Sequence, residues 1–270
     1  MIVQTMGLLY NKKKLFFSHR EVIRIHRGDS MKLGVITDIH NNLTALKVVV
    51  ERLLQLECDK IICCGDIIGI GPYPEETVQY MMQIPNLIAV RGNHEKYLLD
   101  KMPTEYPNEE QMGLEEIKHH KWEHNLLSAE SIDFLRKLPY RVNLECEGYN
   151  LSVMHYCMDY DGHYINYKSH PSEDDLKGIF DGVKSDIILY GHDHCRNICK
   201  GDKFYINVGS LGCPAKDINI ARAGVLKIGK GNIEVETMDV GYDANNVLDA
   251  IDRLNYPASD EIKKFFYGIC

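Results

Sequence analysis

The sequence predicts an α/β fold, one domain of two packed sheets flanked by helices. Three observations predict it. From Met31 onward, short apolar runs alternate with segments of helical apolar spacing, as strands joined by helical crossovers do. After Pro139 the texture changes to a series of short strands and a hairpin. No internal repeat, low-complexity tract or Pro/Gly/Ser-rich linker divides the 270 residues, a length that one large α/β domain can fill.

The elements follow in chain order. Residues 33–37 read as a buried strand and 43–56 as a helix with apolar residues at helical spacing. Residues 60–64 form a second strand. The turn Gly71-Pro72-Tyr73-Pro74 introduces a helix over 75–83, and 87–90 form a third strand. Short strand–helix–strand connections imply a parallel sheet built from right-handed crossovers. Helices are predicted at 109–125 and 128–137. Ser128 suits the N-cap of the second, and Pro139 stops it. Strands follow at 141–145, 150–155, 186–190, 196–200 and 204–208. Residues 222–228 and 232–237 form a hairpin around Gly229-Lys230-Gly231, and helices at 247–254 and 261–266 end the chain.

Residues 1–30 are unlike the rest. Six basic residues against Glu21 and Asp29 give a net of +4, and they are expected to be an extension outside the core. Met31, just before the first convincing strand, offers an alternative translation start. Arg27-Gly28-Asp29 spells an adhesion tripeptide, a role that does not fit a chain lacking an export signal. The overall charge is −8, so residues 31–270 carry −12. An acidic body is a poor match for tracking along a long nucleic acid, which normally needs a basic stripe. A small phosphorylated substrate stays compatible, because bound metal reverses the local sign of charge. No apolar run approaches the roughly 20 residues of a membrane helix. The nine cysteines are odd in number and irregular in spacing, which fits free thiols in the cytoplasm. Cys195 and Cys199 resemble half of a zinc site, but no second pair accompanies them.

Five polar clusters each stand directly behind an apolar run: Asp38-Ile39-His40, Gly65-Asp66-Ile67-Ile68-Gly69, Gly92-Asn93-His94-Glu95, His155, and Gly191-His192-Asp193-His194. In open α/β sheets, sites form at the carboxyl ends of strands, so five such clusters can converge. Imidazole, carboxylate and amide oxygen suit first-row divalent metals. Taken singly, Asp38 with His40, or Gly65-Asp66, reads equally as a turn, and His155 as a core histidine. Taken together they read as one metal site.

In these clusters, and in Gly69-Ile70-Gly71-Pro72 and Asn207-Val208-Gly209-Ser210, the chain resembles a calcineurin-like metallophosphoesterase from Met31 to its C-terminus. It is most similar to small bacterial and archaeal phosphodiesterases, with affinities to those acting on dinucleoside polyphosphates. The resemblance implies a four-layer α-β-β-α sandwich of two mixed sheets. It implies two divalent metal ions, manganese foremost, with iron, zinc, nickel and cobalt accepted by the same ligands. One metal would take Asp38, His40, Asp66 and His194, and the other Asp66, Asn93, His155 and His192. Asp66 would bridge them, and a shared hydroxide would attack phosphorus. His94 would protonate the leaving group. The expected substrate is a small phosphorylated molecule such as a nucleotide. A protein serine/threonine phosphatase, or a scaffold that keeps only the fold, are the alternatives.

The sequence departs from the usual pattern at Tyr156, where relatives often have Gly, and at Asp193, where a small or hydroxyl residue is common. Arg91 and Arg196, which flank metal clusters, are candidates to hold substrate phosphate, and Tyr73 to stack on a nucleobase. His120-Lys121-Trp122-Glu123-His124 spells the inverted zinc-protease pattern, but within the surroundings of another site. It is expected to form a polar helix face capping that site.

Overall fold

Two opposed faces of one strand organise the molecule, a computed structural model that describes residues 22–25, 28, 30–108, 110–158, 163–165, 167–213 and 217–268. The strand is β2 (Ser30–Ile36), preceded by β1 (Val22–Ile25). Leu33 and Val35 of β2 join an apolar layer with residues of both sheets, among them Val142, Leu189 and Leu226. Ile36 points the other way, into the helices. Gly34 leaves room on that side for Leu53 of α1 (Leu43–Gln55).

β3 (Lys60–Cys63), α2 (Pro74–Met81), β4 (Leu87–Ala89) and α3 (Asn93–Leu99) follow, then α4 (Leu114–His124) and α5 (Ala129–Lys137). The second half holds β5 (Arg141–Cys146), β6 (Tyr149–Met154), α6 (Glu173–Ile179), β7 (Ile187–Leu189), β8 (Asn197–Lys200) and β9 (Phe204–Asn207). β10 (Ile220–Gly229), β11 (Asn232–Gly241), α7 (Asn245–Leu254) and α8 (Ser259–Tyr267) complete it. One sheet runs β11-β10-β2-β3-β4 and the other β1-β5-β6-β7-β9-β8. Both are mixed: β2, β3 and β4 are parallel, as are β6, β7 and β9, while hairpin partners are antiparallel.

The hairpin docks back onto β2, so the first sheet closes with the last strands of the chain. Helices α1, α2, α5, α7 and α8 bury its outer face around Leu46, Val78, Leu135, Val247 and Ile262. On the other sheet, α6 covers Ile188 and Tyr205 with Leu176 and Phe180. The result is the expected four-layer sandwich. No helix among the described residues is long and apolar enough to cross a membrane.

Several boundaries differ from the sequence reading. The helix expected over 109–125 begins only at Leu114. Upstream of it, the Asn108 amide bonds the carbonyls of Glu105 and Met112 and accepts from Met112 N–H, so local side-chain bonds compete with the helix. The hairpin strands are ten residues each, longer than expected. Helices α3 and α6, seven residues each, were too short for a periodic signal. The capping box of Ser172 and Asp175 was the readable sign of α6. Within the segment set apart as an extension, Val22–Ile25 pairs with β5, and Ile25 joins the layer between the sheets. The tripeptide residues Arg27 and Asp29 lie outside the described residues.

Candidate metal centre

Strand ends deliver the candidate ligands to one point. Asp38 and His40 lie past β2, Asp66 past β3, and Asn93 at the start of α3. His155 follows β6, and His192 and His194 follow β7. Asp38, His40, Asp66, His192 and His194 all have left-handed backbone, with φ between 49° and 74°. Such residues cost about 1–3 kcal/mol each and cluster where function holds them.

Tight bonds hold these loops. The Asp38 carboxylate accepts from Thr37 Oγ1 at 2.8 Å and from His192 N–H at 3.1 Å. Ser210 Oγ and Gly212 N–H donate to the Asp38 carbonyl, and Asn207 Nδ2 donates to that of Gly191. The Asn207–Ser210 stretch therefore fastens the first and last ligand loops together. Gly92 is required by contact: a Cβ there would collide with the Asp66 carboxylate.

The seven donors fall into two overlapping groups. His40 Nε2 lies 3.9 Å from Asp38 Oδ1, 3.8 Å from Asp66 Oδ2 and 2.9 Å from His194 Nε2. His155 Nε2 lies 3.2 Å from Asp66 Oδ2, 3.1 Å from Asn93 Oδ1 and 3.2 Å from His192 Nδ1. His192 Nδ1 is 3.0 Å from Asn93 Oδ1. The Nδ1 atoms of His40 and His155 lie 3.2 Å and 2.9 Å from the carbonyls of Ile68 and Cys64. Donating there turns each Nε2 lone pair toward the centre, the arrangement of ligating histidines.

A fit to metal follows from the donor chemistry. Two buried carboxylates, an amide oxygen and four imidazoles face one another. Among the described residues, neither Asp38 nor Asp66 pairs with a lysine or arginine. Lone pairs so opposed repel unless a proton or cation lies between them. In the metal-free chain a proton partly does this. Burial opposes charge on His155, but Asp66, with its hydrogen bond, and then Asp38 outweigh burial and raise His155 to about 9. Burial would raise Asp66, yet His155 and His94 hold it well below the usual carboxylate range. Burial lowers His40 to about 3, helped by His194, and His192 to about 4, helped by His155. Cations would find unprotonated imidazoles at His40 and His192 and would displace the proton of His155.

His94 stands beside this ring, its Nε2 3.9 Å from Asp66 Oδ2 and its ring packed on that of His40. Burial lowers its pKa well below the usual value. The negative charge of a bound phosphoryl group acts in the opposite direction.

The substrate-binding candidates Arg91, Arg196 and Tyr73 each have partners within the chain. Arg91 donates to the carbonyls of Leu138 at 2.6 Å and Arg136 at 3.0 Å, and its guanidinium packs 4.7 Å from the Tyr140 ring centroid. It serves the carbonyls left open at the end of α5. Arg196 binds the carbonyls of Val208 and Met238 and the Asp239 carboxylate. The Tyr73 hydroxyl donates to the Asn246 carbonyl at 3.1 Å. Arg91→Ala should therefore cost about 1–3 kcal/mol of stability, read as a lower urea midpoint. The KM of an active substrate should stay within about twofold; a tenfold rise would restore Arg91 to the phosphate.

Asp193 does not point to solvent. It accepts from Tyr167 Oη at 2.9 Å and His170 N–H at 3.2 Å. Tyr156 is buried against the His192 ring, 5.0 Å between centroids. Cys199 donates to Asn197 Oδ1 and shares no group of metal donors with Cys195 among the described residues.

Two glutamates that stand in the quoted motifs have roles the sequence reading did not assign to them. Glu95 accepts from the backbone N–H groups of Asp66 (3.1 Å), Ile67 (2.8 Å), Ile68 (3.1 Å) and Gly92 (2.6 Å). It ties the Asp66 loop to the Asn93 loop. Its position three residues after Gly92 is that of a carboxylate bonding back to a helix N-cap, a readable signal. Glu123 of α4 accepts from Asn41 Nδ2 at 2.7 Å and from Gly69 N–H, and His119 Nε2 accepts from Ile70 N–H at 3.1 Å. Helix α4 caps the centre in this way.

Comparison with known proteins agrees with the fold. A family model described as "Calcineurin-like phosphoesterase superfamily domain" matches residues 31–231. The chain is 28% identical over 247 residues to MJ0912 of Methanocaldococcus jannaschii, covering 83% of this chain and 93% of that protein. Its fold is similar to hypothetical protein PH1004 from Pyrococcus horikoshii OT3, with TM-score 0.73, 16% identity and coverage of 87% and 98% of the two chains. A metallophosphoesterase from Sphaerobacter thermophilus gives TM-score 0.66 at 21% identity, covering 88% and 98%. With a family match over most of its length and the metal-donor clusters that so metal-dependent a family requires, this chain belongs to the calcineurin-like phosphoesterase superfamily.

Proposed function

We propose that the chain is a hydrolase with a two-metal centre that cleaves a small phosphodiester or dinucleoside polyphosphate. The observation that carries this is the ring of seven inward-facing donors, with Asp66 common to both groups and, among the described residues, no lysine or arginine paired with its carboxylates. Asp38, His40, Asp66 and His194 would hold one ion, and Asp66, Asn93, His155 and His192 the other. When bound, such ions polarise phosphoryl oxygens and acidify water. Around them, the carbonyls of Ile68 and Cys64 orient His40 and His155. The fastened loops keep the donors within reach of one phosphoryl group, so that little reorganisation is left for the reaction.

His94, beside Asp66, would give a proton to the departing oxygen. His94→Ala should lower kcat about a hundredfold for a diester with a poor leaving group. The loss should be far smaller for a nitrophenyl ester, whose leaving oxygen needs no proton. Equal losses on both substrates would remove the acid role.

A diester suits this site better than a protein phosphomonoester. A second phosphate charge calls for arginines beside the metals, and Arg91 and Arg196 are engaged with backbone carbonyls. A scaffold role is disfavoured because none of the seven donors is missing. The test is a manganese-supplemented panel of cyclic nucleotides, dinucleoside polyphosphates, nucleotides, phosphopeptides, and nitrophenyl phosphate paired with bis(nitrophenyl) phosphate. Turnover of diesters or dinucleoside polyphosphates well above monoesters is expected. Preference for phosphopeptides would overturn the substrate class, and inactivity on every member would favour the scaffold.

A further inference from the structure

Helix α4 carries a second constellation that the paired-metal reading does not use. His120, Glu123 and His124 stand at i, i+3 and i+4 and so share one helix face. Their donor atoms lie within 4.8 Å of one another. His120 is 1% exposed and Glu123 0%, so a protease role is excluded: no peptide reaches that carboxylate.

Two details of this cluster suit a cation as well as or better than a hydrogen bond. Glu123 uses Oε1 for Asn41 and Gly69, which leaves Oε2 facing His120 Nδ1 at 3.3 Å. That is beyond the usual N–H···O range of about 2.7–3.2 Å. It matches the edge of a tetrahedron with bonds of about 2.0–2.1 Å from a central zinc, an edge of roughly 3.3–3.4 Å. Independently, His124 Nε2 is enclosed and has no hydrogen-bond partner. Burial also lowers His124 to about 4, which keeps the ring in its neutral, ligating form. A stretched histidine–carboxylate pair and an enclosed imidazole nitrogen without a partner are both satisfied by one cation.

We propose that His120, Glu123 and His124 form a separate divalent-cation site of zinc type, distinct from the paired centre. Two imidazoles and one carboxylate are a donor set that zinc accepts, with a fourth position for water. The ion takes the place of the proton between His120 Nδ1 and Glu123 Oε2, and the neutral ring carries its proton on Nε2 instead. Glu123 keeps its bonds to Asn41 and Gly69, so the ion stiffens the link between α4 and the loops of His40 and Asp66. Its role is structural.

The experiment is zinc loading of the full chain after chelator stripping, with removal of unbound ion and metal counting by mass spectrometry. Wild type is expected to hold three equivalents, His124→Gln and His124→Ala two, and Asp66→Asn to keep the α4 equivalent. Saturation of wild type at two, or a third equivalent surviving in folded His124→Gln, would overturn the proposal. Failure of the paired centre instead would leave a single equivalent that His124→Gln removes, so the two readings fail differently.

Discussion

Asp66→Asn should lower kcat/KM by about a thousandfold or more while the protein stays folded. The reason is its double membership. Asp66 Oδ2 lies 3.8 Å from His40 Nε2 in one donor group and 3.2 Å from His155 Nε2 in the other. Replacing that oxygen by an amide weakens both groups at once, whereas the same change at Asp38 weakens one. A loss of about 4 kcal/mol in transition-state stabilisation corresponds to a thousandfold, within what metal charge supplies. Asn is close in volume to Asp, so packing is preserved. The check is manganese-dependent turnover beside circular dichroism. Activity within tenfold of wild type would show that Asp66 does not join two metals.

The second large effect is on stability. Glu95→Ala should lose about 4 kcal/mol or more, measured as a shift of the urea midpoint in chelator-treated protein. Four backbone N–H groups bond this one buried carboxylate. Truncation leaves all four enclosed without an acceptor, and each such group costs about 1–3 kcal/mol when local relaxation does not relieve it. Glu95→Gln should fall between the two, because its amide keeps one acceptor oxygen and turns an NH₂ toward the remaining donors. A midpoint unchanged in Glu95→Ala would mean that the Asp66 and Asn93 loops are held by other contacts.

These residues also show what a sequence discloses and what it hides. The seven donors were legible because each sits in a short motif directly behind an apolar run, and strand direction alone sends such positions to one edge. The sandwich was legible because β2 through β4 read as continuous apolar runs between helices. Glu95 and Glu123 were in plain sight, yet their partners are mostly backbone N–H groups in distant loops, which no residue type marks. The partners of Arg91 and Arg196 were hidden for a related cause. A cation beside a metal cluster suggests substrate, but the carbonyls at the end of α5 and past β9 claim them, and carbonyls are equally silent in sequence. The short β1 pairs in parallel with β5 more than a hundred residues away, so its place depends on a partner that local pattern does not reveal.

The central claim is that seven side chains gather two cations around one carboxylate. Anomalous diffraction from crystals of the full chain loaded with manganese tests it most directly. The account predicts two peaks in this ring, one on each side of Asp66. The first should touch Asp38, His40 and His194, and the second Asn93, His155 and His192. A single peak there, or manganese bound only outside these seven residues, would contradict it.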